Sequence, residues 1–408
     1  MYLDSISQTQ SHCGKQAPVL SLIRYSARVP FDEFRSNFLK TFLSSPLRMR
    51  IVTRKWLWSY LEPAVDDWSP NDNIIKRDGP ILDDEIGDIV DRLANEEMDS
   101  SKPEWVVHFG DDINGCSFVI FKYNHIYADG FSMMTHLMTC AKVSSDSSKW
   151  VDVKKSHVNL FFYVFSWFRA FFKLLLIKKD KGNLRTKTNE APRVVHFKTL
   201  SSNLSNIKSF SKAQGVTVND LILTALAITL SKKNYKDEIL STIWMSLGQP
   251  GLKETWGNTN LAASFLHLPL NQSLTSLERL HTICGRMTKI KTSAEPFVSN
   301  WFMRFFGFFP VLRSLWAACA DKPSLSFSNM VGPSETIRWP TGDYEAGIVQ
   351  EVMFIVPPQY SIGLFICMMS YNGQITLAAA SDAVALDKQS LKDFIKTIDD
   401  ELQVLIRK

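Results

Sequence analysis

Six cysteines are scattered along 408 residues with no CxxC pair among them, so neither a disulfide framework nor a cysteine zinc site is indicated. The eight histidines are equally dispersed, and no second His or Cys stands one helical turn or one strand step from His125; no metal is expected. A net charge of +5 comes from 46 basic and 41 acidic residues without a basic block, although Lys178, Lys179 and Lys181 cluster, so a nucleic-acid partner is not expected. No apolar run follows Met1 and nothing resembles a cleavage site, which points to a reduced, cytosol-facing protein that is not secreted. No short-period repeat is visible.

Aromatic residues, by contrast, are plentiful: 27 Phe and 11 Trp, many of them in two segments. The first, 158–177 (VNLFFYVFSWFRAFFKLLLI), has about the 20 residues that a bilayer-spanning helix requires. At helical spacing Asn159, Ser166, Arg169 and Lys173 form one narrow polar stripe, followed by a basic end at Lys178 and Lys179. Three placements are open: a helix lying on a membrane surface, a span, or a core helix. An arginine at mid-bilayer costs at least ~2.5 kcal/mol, which favours the interface, where basic side chains reach back to water. The second segment, 301–320, has the same character, with Pro310 expected to kink or end the helix. Two such segments imply a membrane-facing side.

The chain exceeds what one hydrophobic core usually serves, so two domains are expected. Residues 1–150 form the first lobe, 151–195 the apolar helix and inter-lobe linker, and 196–408 the second lobe. Strands are expected at 105–109, 117–123, 241–246, 349–356, 362–369 and 374–379. Helices are expected at 32–43, 84–93, 131–141, 204–212, 218–231 and 387–406. Such a mixture gives an α/β or α+β sandwich in each lobe.

The most informative run is FKYNHIYADGFS, in which His125, Asp129 and Gly130 form HxxxDG. A chance match in a chain this long has a probability of roughly a few per cent. The run stands between an aromatic, β-branched strand and an apolar-faced helix, so His125 falls where a strand runs out. Gly130 is expected to take a left-handed conformation before the helix. An unperturbed imidazole has a pKa near ~6.5, so a neutral histidine so placed can accept a proton and return it within one turnover, as acyl transfer to a hydroxyl requires. Taken alone, the six residues fit an ordinary turn equally well.

HxxxDG resembles the active-site motif of acyltransferases related to chloramphenicol acetyltransferase. Within that group the wax ester synthase/diacylglycerol acyltransferase family is the best fit. Lys102-Pro103-Glu104-Trp105 followed by His108 is similar to that family's RPLWExH, with Glu104 in place of leucine. Asn219-Asp220 stands at its Asn-Asp motif, Gly257-Asn258 with Leu268-Pro269 at its GN…LP stretch, and Ser328 to Pro333 (SNMVGP) at its NxxGP loop. GLFICMMSYNGQITLAAASD resembles its final strand pair, with Ser370-Tyr371 and Gly373 at the turn and Asp382 closing it. The matches keep the family's order over about 300 residues. The DFGWG motif of plant alcohol acyltransferases is absent, and Asn124 replaces the first histidine of HHxxxDG.

The resemblance implies two chloramphenicol acetyltransferase-like lobes with the active site in a tunnel between them. It implies acyl-CoA as co-substrate, no other cofactor, and a long-chain alcohol or diacylglycerol as acceptor. His125 would be the general base, and Asp129, Gly130 and Asn124 would support the motif, Asp129 by pairing with a basic group. Asn329 is a candidate oxyanion donor, and Asn219-Asp220 fit a helix cap at least as well as catalysis. Pro103 and Trp105 are expected as packing or tunnel wall, Asn258 as tunnel or motif support, and Gly332 and Pro333 as shaping the loop opposite His125. Association with the cytosolic face of a membrane, endoplasmic reticulum or lipid droplet in a eukaryote, is expected. Alternatives are transfer to another hydroxyl or amine, such as a sterol or polyketide-like acceptor, and a lipid-binding relative without turnover.

Overall fold

Ser117–Asn124 (SFVIFKYN) is buried at every position, as expected of a strand covered on both faces. It is the centre of a five-stranded sheet in this computed structural model. The structure describes residues 3, 7, 18–43, 46–53, 57–65, 67–143, 160–182, 184–186, 191–233, 235, 238–247, 256–257, 261–340 and 347–407. Asn258, Asn159 and the polar run 144–150, expected to close the first lobe, lie outside them.

The principal strands are β1 (Pro18–Tyr25), β2 (Ile74–Ile81), β3 (Trp105–Asp112), β4 (Ser117–Asn124), β5 (Arg193–Thr199) and β6 (Glu238–Ser246). They continue with β7 (Leu261–Pro269), β8 (Leu325–Val331), β9 (Val349–Ile355), β10 (Leu364–Tyr371) and β11 (Gln374–Asp382). The first sheet has the order β9-β1-β4-β3-β2 and the second, six-stranded, β7-β6-β8-β10-β11-β5. Helices α1 (Phe31–Asn37), α2 (Asp83–Asn95) and α3 (Gly130–Cys140) accompany the first sheet, and α4 (Leu160–Leu176) follows. The rest are α5 (Leu204–Ala213), α6 (Val218–Lys232), α7 (Ser276–Lys291), α8 (Glu295–Phe308), α9 (Arg313–Ala320) and α10 (Lys388–Ile406).

β9 falls inside the span expected to be the second lobe, yet it pairs antiparallel with β1, Leu22 opposite Met353 and Leu20 opposite Ile355. The first sheet is therefore completed by a strand from the second half of the chain. Trp339, from the same half, is fully buried among Phe34, Phe38 and Phe42. Alternation explains why β10 (LFICMMSY) reads as one unbroken apolar run. Phe365, Cys367 and Met369 join the core shared with the first sheet, while Leu364, Ile366 and Met368 pack in the core that includes α6, α7 and α10 residues. β10 and β11 meet in a two-residue turn, Asn372-Gly373, with φ of 46° and 73°. Both residues are left-handed, as the commonest hairpin turn requires.

Three expectations are corrected here. Gly130 is not among the positive-φ residues; it opens α3, and its lack of a side chain admits Met330, whose Cε would lie 2.6 Å from an added Cβ. Ser328 to Val331 of SNMVGP is strand, not loop, and only Gly332-Pro333 leave it. The polar stripe of α4 does not turn to water as a whole. Ser166 Oγ accepts from the Ala294 amide at 2.9 Å, and Lys173 Nζ donates to Glu295 at 2.6 Å. Among the described residues no single helix is long and apolar enough to cross a membrane. Pro310 ends α8 as expected, and one tight turn, Pro310–Leu312, leads into α9.

Candidate active site

β3 and β4 pair antiparallel with Trp105 opposite Tyr123, which brings Glu104 level with Asn124 where β4 ends. The Asn124 amide donates to the Glu104 carbonyl at 2.9 Å. Beyond it the chain turns, and the Asn124 side chain spans the turn: Nδ2 donates to Glu104 Oε2 at 2.6 Å, and Oδ1 accepts from the Ile126 amide at 3.0 Å. His125 is thus bracketed on both sides by one buried asparagine. The two residues that depart from the family pattern touch each other.

The rest of the turn is held as closely. Tyr127 Oη donates to the Met49 carbonyl at 2.7 Å and accepts from the Glu104 amide at 3.0 Å. Gly257, from the second half of the chain, accepts from the Asp129 amide at 3.0 Å and donates to the Tyr127 carbonyl at 2.7 Å. Its φ of 91° is one that a glycine adopts readily. Asp129 caps α3, its Oδ1 accepting from the Ser132 amide at 2.7 Å. Asn124, Ile126, Tyr127, Ala128 and Asp129 are all buried, and His125 alone in this run is half-buried. It lines a cavity of about 480 Å³.

That cavity lies between the sheets. Val19 and Phe354 contribute from the first sheet, Thr242, Trp244, Phe265 and Ser326 from the second, and Met303 and Trp316 from α8 and α9. Asp129, Gly130, Asn219 and Asn329 line it together with His125. The Asn329 side-chain Nδ2 donates to Asn219 Oδ1 at 3.5 Å. The neighbouring Asp220 works differently: Thr217 is the N-cap of α6, and the Asp220 carboxylate accepts from the Thr217 amide at 2.9 Å, a capping box. The Asn-Asp pair is split, Asp220 closing the helix and Asn219 facing the cavity.

Pro103 and Trp105 are packing residues outside the cavity wall. The Pro103 carbonyl accepts from Asn73 at 3.1 Å, and the Trp105 indole donates to the Leu47 carbonyl at 2.6 Å. Gly332 donates to the Ser370 carbonyl at 2.8 Å, so close that an added Cβ would lie 2.5 Å from that oxygen. Pro333 follows, its carbonyl accepting from Asn372 at 3.1 Å. His108, buried on β3, receives the Arg77 guanidinium at 2.9 Å. Burial, with the charges of Arg77, Arg92 and Lys122, pushes it down to about 3, so it stays neutral. Burial pushes the Glu104 carboxyl up to about 7; the bond from Asn124 opposes the rise and the Asp99 charge adds to it. Among the described residues no group of three or more His, Cys, Asp or Glu is placed to hold a metal ion.

Of the residues that line the cavity, the motifs mark His125, Asp129, Gly130, Asn219 and Asn329, and no motif marks Thr242, Trp244 and Ser326. Their signal is the polar side chains that STIW and SFSN insert into otherwise apolar strands.

Fold and site together define a two-lobed protein of the chloramphenicol acetyltransferase-like class, with the HxxxDG turn at the junction of the lobes. Residues 256–404 match the WS/DGAT C-terminal domain. Wax ester synthase/diacylglycerol acyltransferase 11 of Arabidopsis thaliana is 24% identical over 321 residues, 63% of this chain and 65% of that protein. The chain therefore spans about two thirds of that relative's length. Among solved structures it resembles the wax ester synthase/diacylglycerol acyltransferase from Marinobacter aquaeolei VT8, with a TM-score of 0.68, 16% identity and 100% of both chains covered. It also resembles the first condensation domain of the calcium-dependent antibiotic synthetase, with a TM-score of 0.66, 12% identity and 98% and 94% covered. The chain is thus similar to wax ester synthase/diacylglycerol acyltransferases in sequence and fold, and the family match lies in its C-terminal part.

Proposed function

We propose that this protein transfers a fatty acyl group from acyl-CoA to a hydroxyl, on a long-chain alcohol to give a wax ester or on diacylglycerol to give triacylglycerol. The observation that carries the reading is the placement of His125, held in a rigid turn and facing a largely apolar cavity that both sheets line. In this mechanism His125 removes the hydroxyl proton as the oxygen attacks the thioester carbonyl. The C–S bond then breaks, and the proton passes from His125 to the departing thiolate of CoA. No acyl-enzyme forms. A donor beside the carbonyl stabilises the tetrahedral oxyanion, worth about 3 to 4 kcal/mol where one donor has been removed elsewhere; the Asn329 amide is our candidate for it.

We further propose that the outer surface of the cavity rests on a membrane. Phe165, Phe168, Phe172 and Leu176 of α4 are exposed, and so are Trp301, Phe305 and Phe308 of α8. Trp167 joins the two helices by packing against Trp301 at 5.1 Å. Trp58 extends the patch, donating to the Phe308 carbonyl at 3.0 Å. The opposite side of α8 and α9 supplies Met303 and Trp316 to the cavity wall, so one layer of helix separates the patch from the site. Aromatic residues with arginine and lysine beside them suit the headgroup boundary of a bilayer.

The test is direct. Purified protein is incubated with labelled palmitoyl-CoA and either hexadecanol or diacylglycerol. Labelled ester with intersecting initial-rate lines is the expected result. Lipid binding without any transfer to a hydroxyl or amine would replace the enzyme with a lipid-binding relative.

A further inference from the structure

Glu104 holds the turn that carries His125 in three ways. Its carbonyl accepts from the Asn124 amide at 2.9 Å, its amide donates to Tyr127 Oη at 3.0 Å, and its carboxyl accepts from Asn124 Nδ2 at 2.6 Å. The first two bonds use backbone groups that nearly every residue possesses; only the third depends on the side chain. That third bond reaches across the turn. Asn124 Oδ1 accepts from the Ile126 amide at 3.0 Å, so the Glu104 carboxyl, the Asn124 side chain and the Ile126 backbone form one chain of hydrogen bonds that spans His125. The asparagine amide is oriented from both ends, since a carboxylate only accepts and a backbone N–H only donates. Glu104 and Asn124 are each 3% exposed, and neither lines the cavity. Both positions leave the family pattern together, Glu104 standing for leucine and Asn124 for the first histidine. Leucine at 104 beside Asn124 would strand the Nδ2 group, and a buried N–H that loses its acceptor is costly. A shift of the turn relieves it, and His125 rides on that turn.

We propose that Glu104 is a positioning residue for His125, its side chain fixing the imidazole through Asn124 so that the base meets the bound hydroxyl in a productive geometry. Glu104 itself touches neither substrate nor the reacting atoms. Misplacing a reacting group by about 1 Å can cost about 100-fold in rate, so a hydrogen bond outside the cavity has leverage on turnover. Because neither partner lines the cavity, the leverage falls on the chemical step and not on substrate binding. The inference rests on the reading of His125 as the general base.

Steady-state kinetics with palmitoyl-CoA and hexadecanol, and NMR of protein with isotope-labelled histidine rings, test this on the same samples. Glu104→Leu should lower kcat about tenfold or more while the KM for palmitoyl-CoA stays within about twofold. The His125 ring signal, assigned by its absence in His125→Ala, should shift or broaden in that variant. Glu104→Gln, whose amide oxygen still accepts from Asn124 Nδ2, should keep both kcat and the ring signal near wild type. The pair that the family carries, Glu104→Leu with Asn124→His, should recover most of what Glu104→Leu alone loses. An unchanged kcat or an unchanged ring signal in folded Glu104→Leu overturns the proposal, as does a double variant whose loss is the product of the two single losses. Should Glu104→Leu fail to fold, as judged by circular dichroism, Asn124→Ala takes its place, since it removes the same bond from the other end. If the wild-type protein transfers no acyl group, the acyltransferase reading falls, and the ring signal alone decides whether Glu104 positions His125.

Discussion

At the scale of single residues, the pair Glu104 and Asn124 gives the site its most testable property. The Glu104 carboxyl is raised from 4.5 to about 7 in the folded chain, so between those values the folded state holds a proton that the unfolded state has released. Stability from this group is therefore complete at acid pH and is lost as pH rises through that window, by up to roughly 3 kcal/mol. Glu104→Gln removes the dependence. Urea unfolding of both proteins at about pH 5 and about pH 8 should show the variant gaining on the wild type at the higher pH, whereas parallel pH curves would contradict the assignment. His125 was legible in the sequence because a motif marks it. The contact that brackets it was not, because Glu104 and Asn124 stand 20 residues apart and meet only through the register of β3 on β4.

At the scale of elements, long periodic segments such as α6 and α10 and the fully apolar β10 were readable, since one pattern runs through each. β2 was not: IIKRDGPI contains Asp78, Gly79 and Pro80, residues of turns, and its pairing with β3 shifts register between Lys76 and Pro80. β8 was hidden because SNMVGP reads as a loop on account of its last two residues. Those two still matter. An alanine Cβ at position 332 would lie 2.5 Å from the Ser370 carbonyl, a backbone atom, whereas at position 130 it would meet only the end of the Met330 side chain. Gly332→Ala should accordingly lose about 1 to 3 kcal/mol in thermal unfolding and Gly130→Ala clearly less; equal losses would mean that strand β8 yields as easily as a methionine tip.

At the scale of the whole molecule, the two sheets are interlocked by β9 and Trp339, which the order of residues along the chain does not reveal, because strand partners are set in space. The same architecture places an aromatic face outside the cavity. Replacing Phe165, Phe172 and Phe308, all more than half exposed, with glutamate should leave the melting temperature nearly unchanged. Co-flotation with phospholipid vesicles should fall sharply; retention of flotation by a folded triple variant would remove the membrane face. The central claim is narrower, and one comparison tests it most directly: the rate of ester formation from acyl-CoA by wild-type protein and by His125→Ala, with folding and lipid binding checked on the same samples. A loss of roughly 100-fold to 10,000-fold with both properties intact is what a general base predicts, and near-full activity in the variant would contradict it.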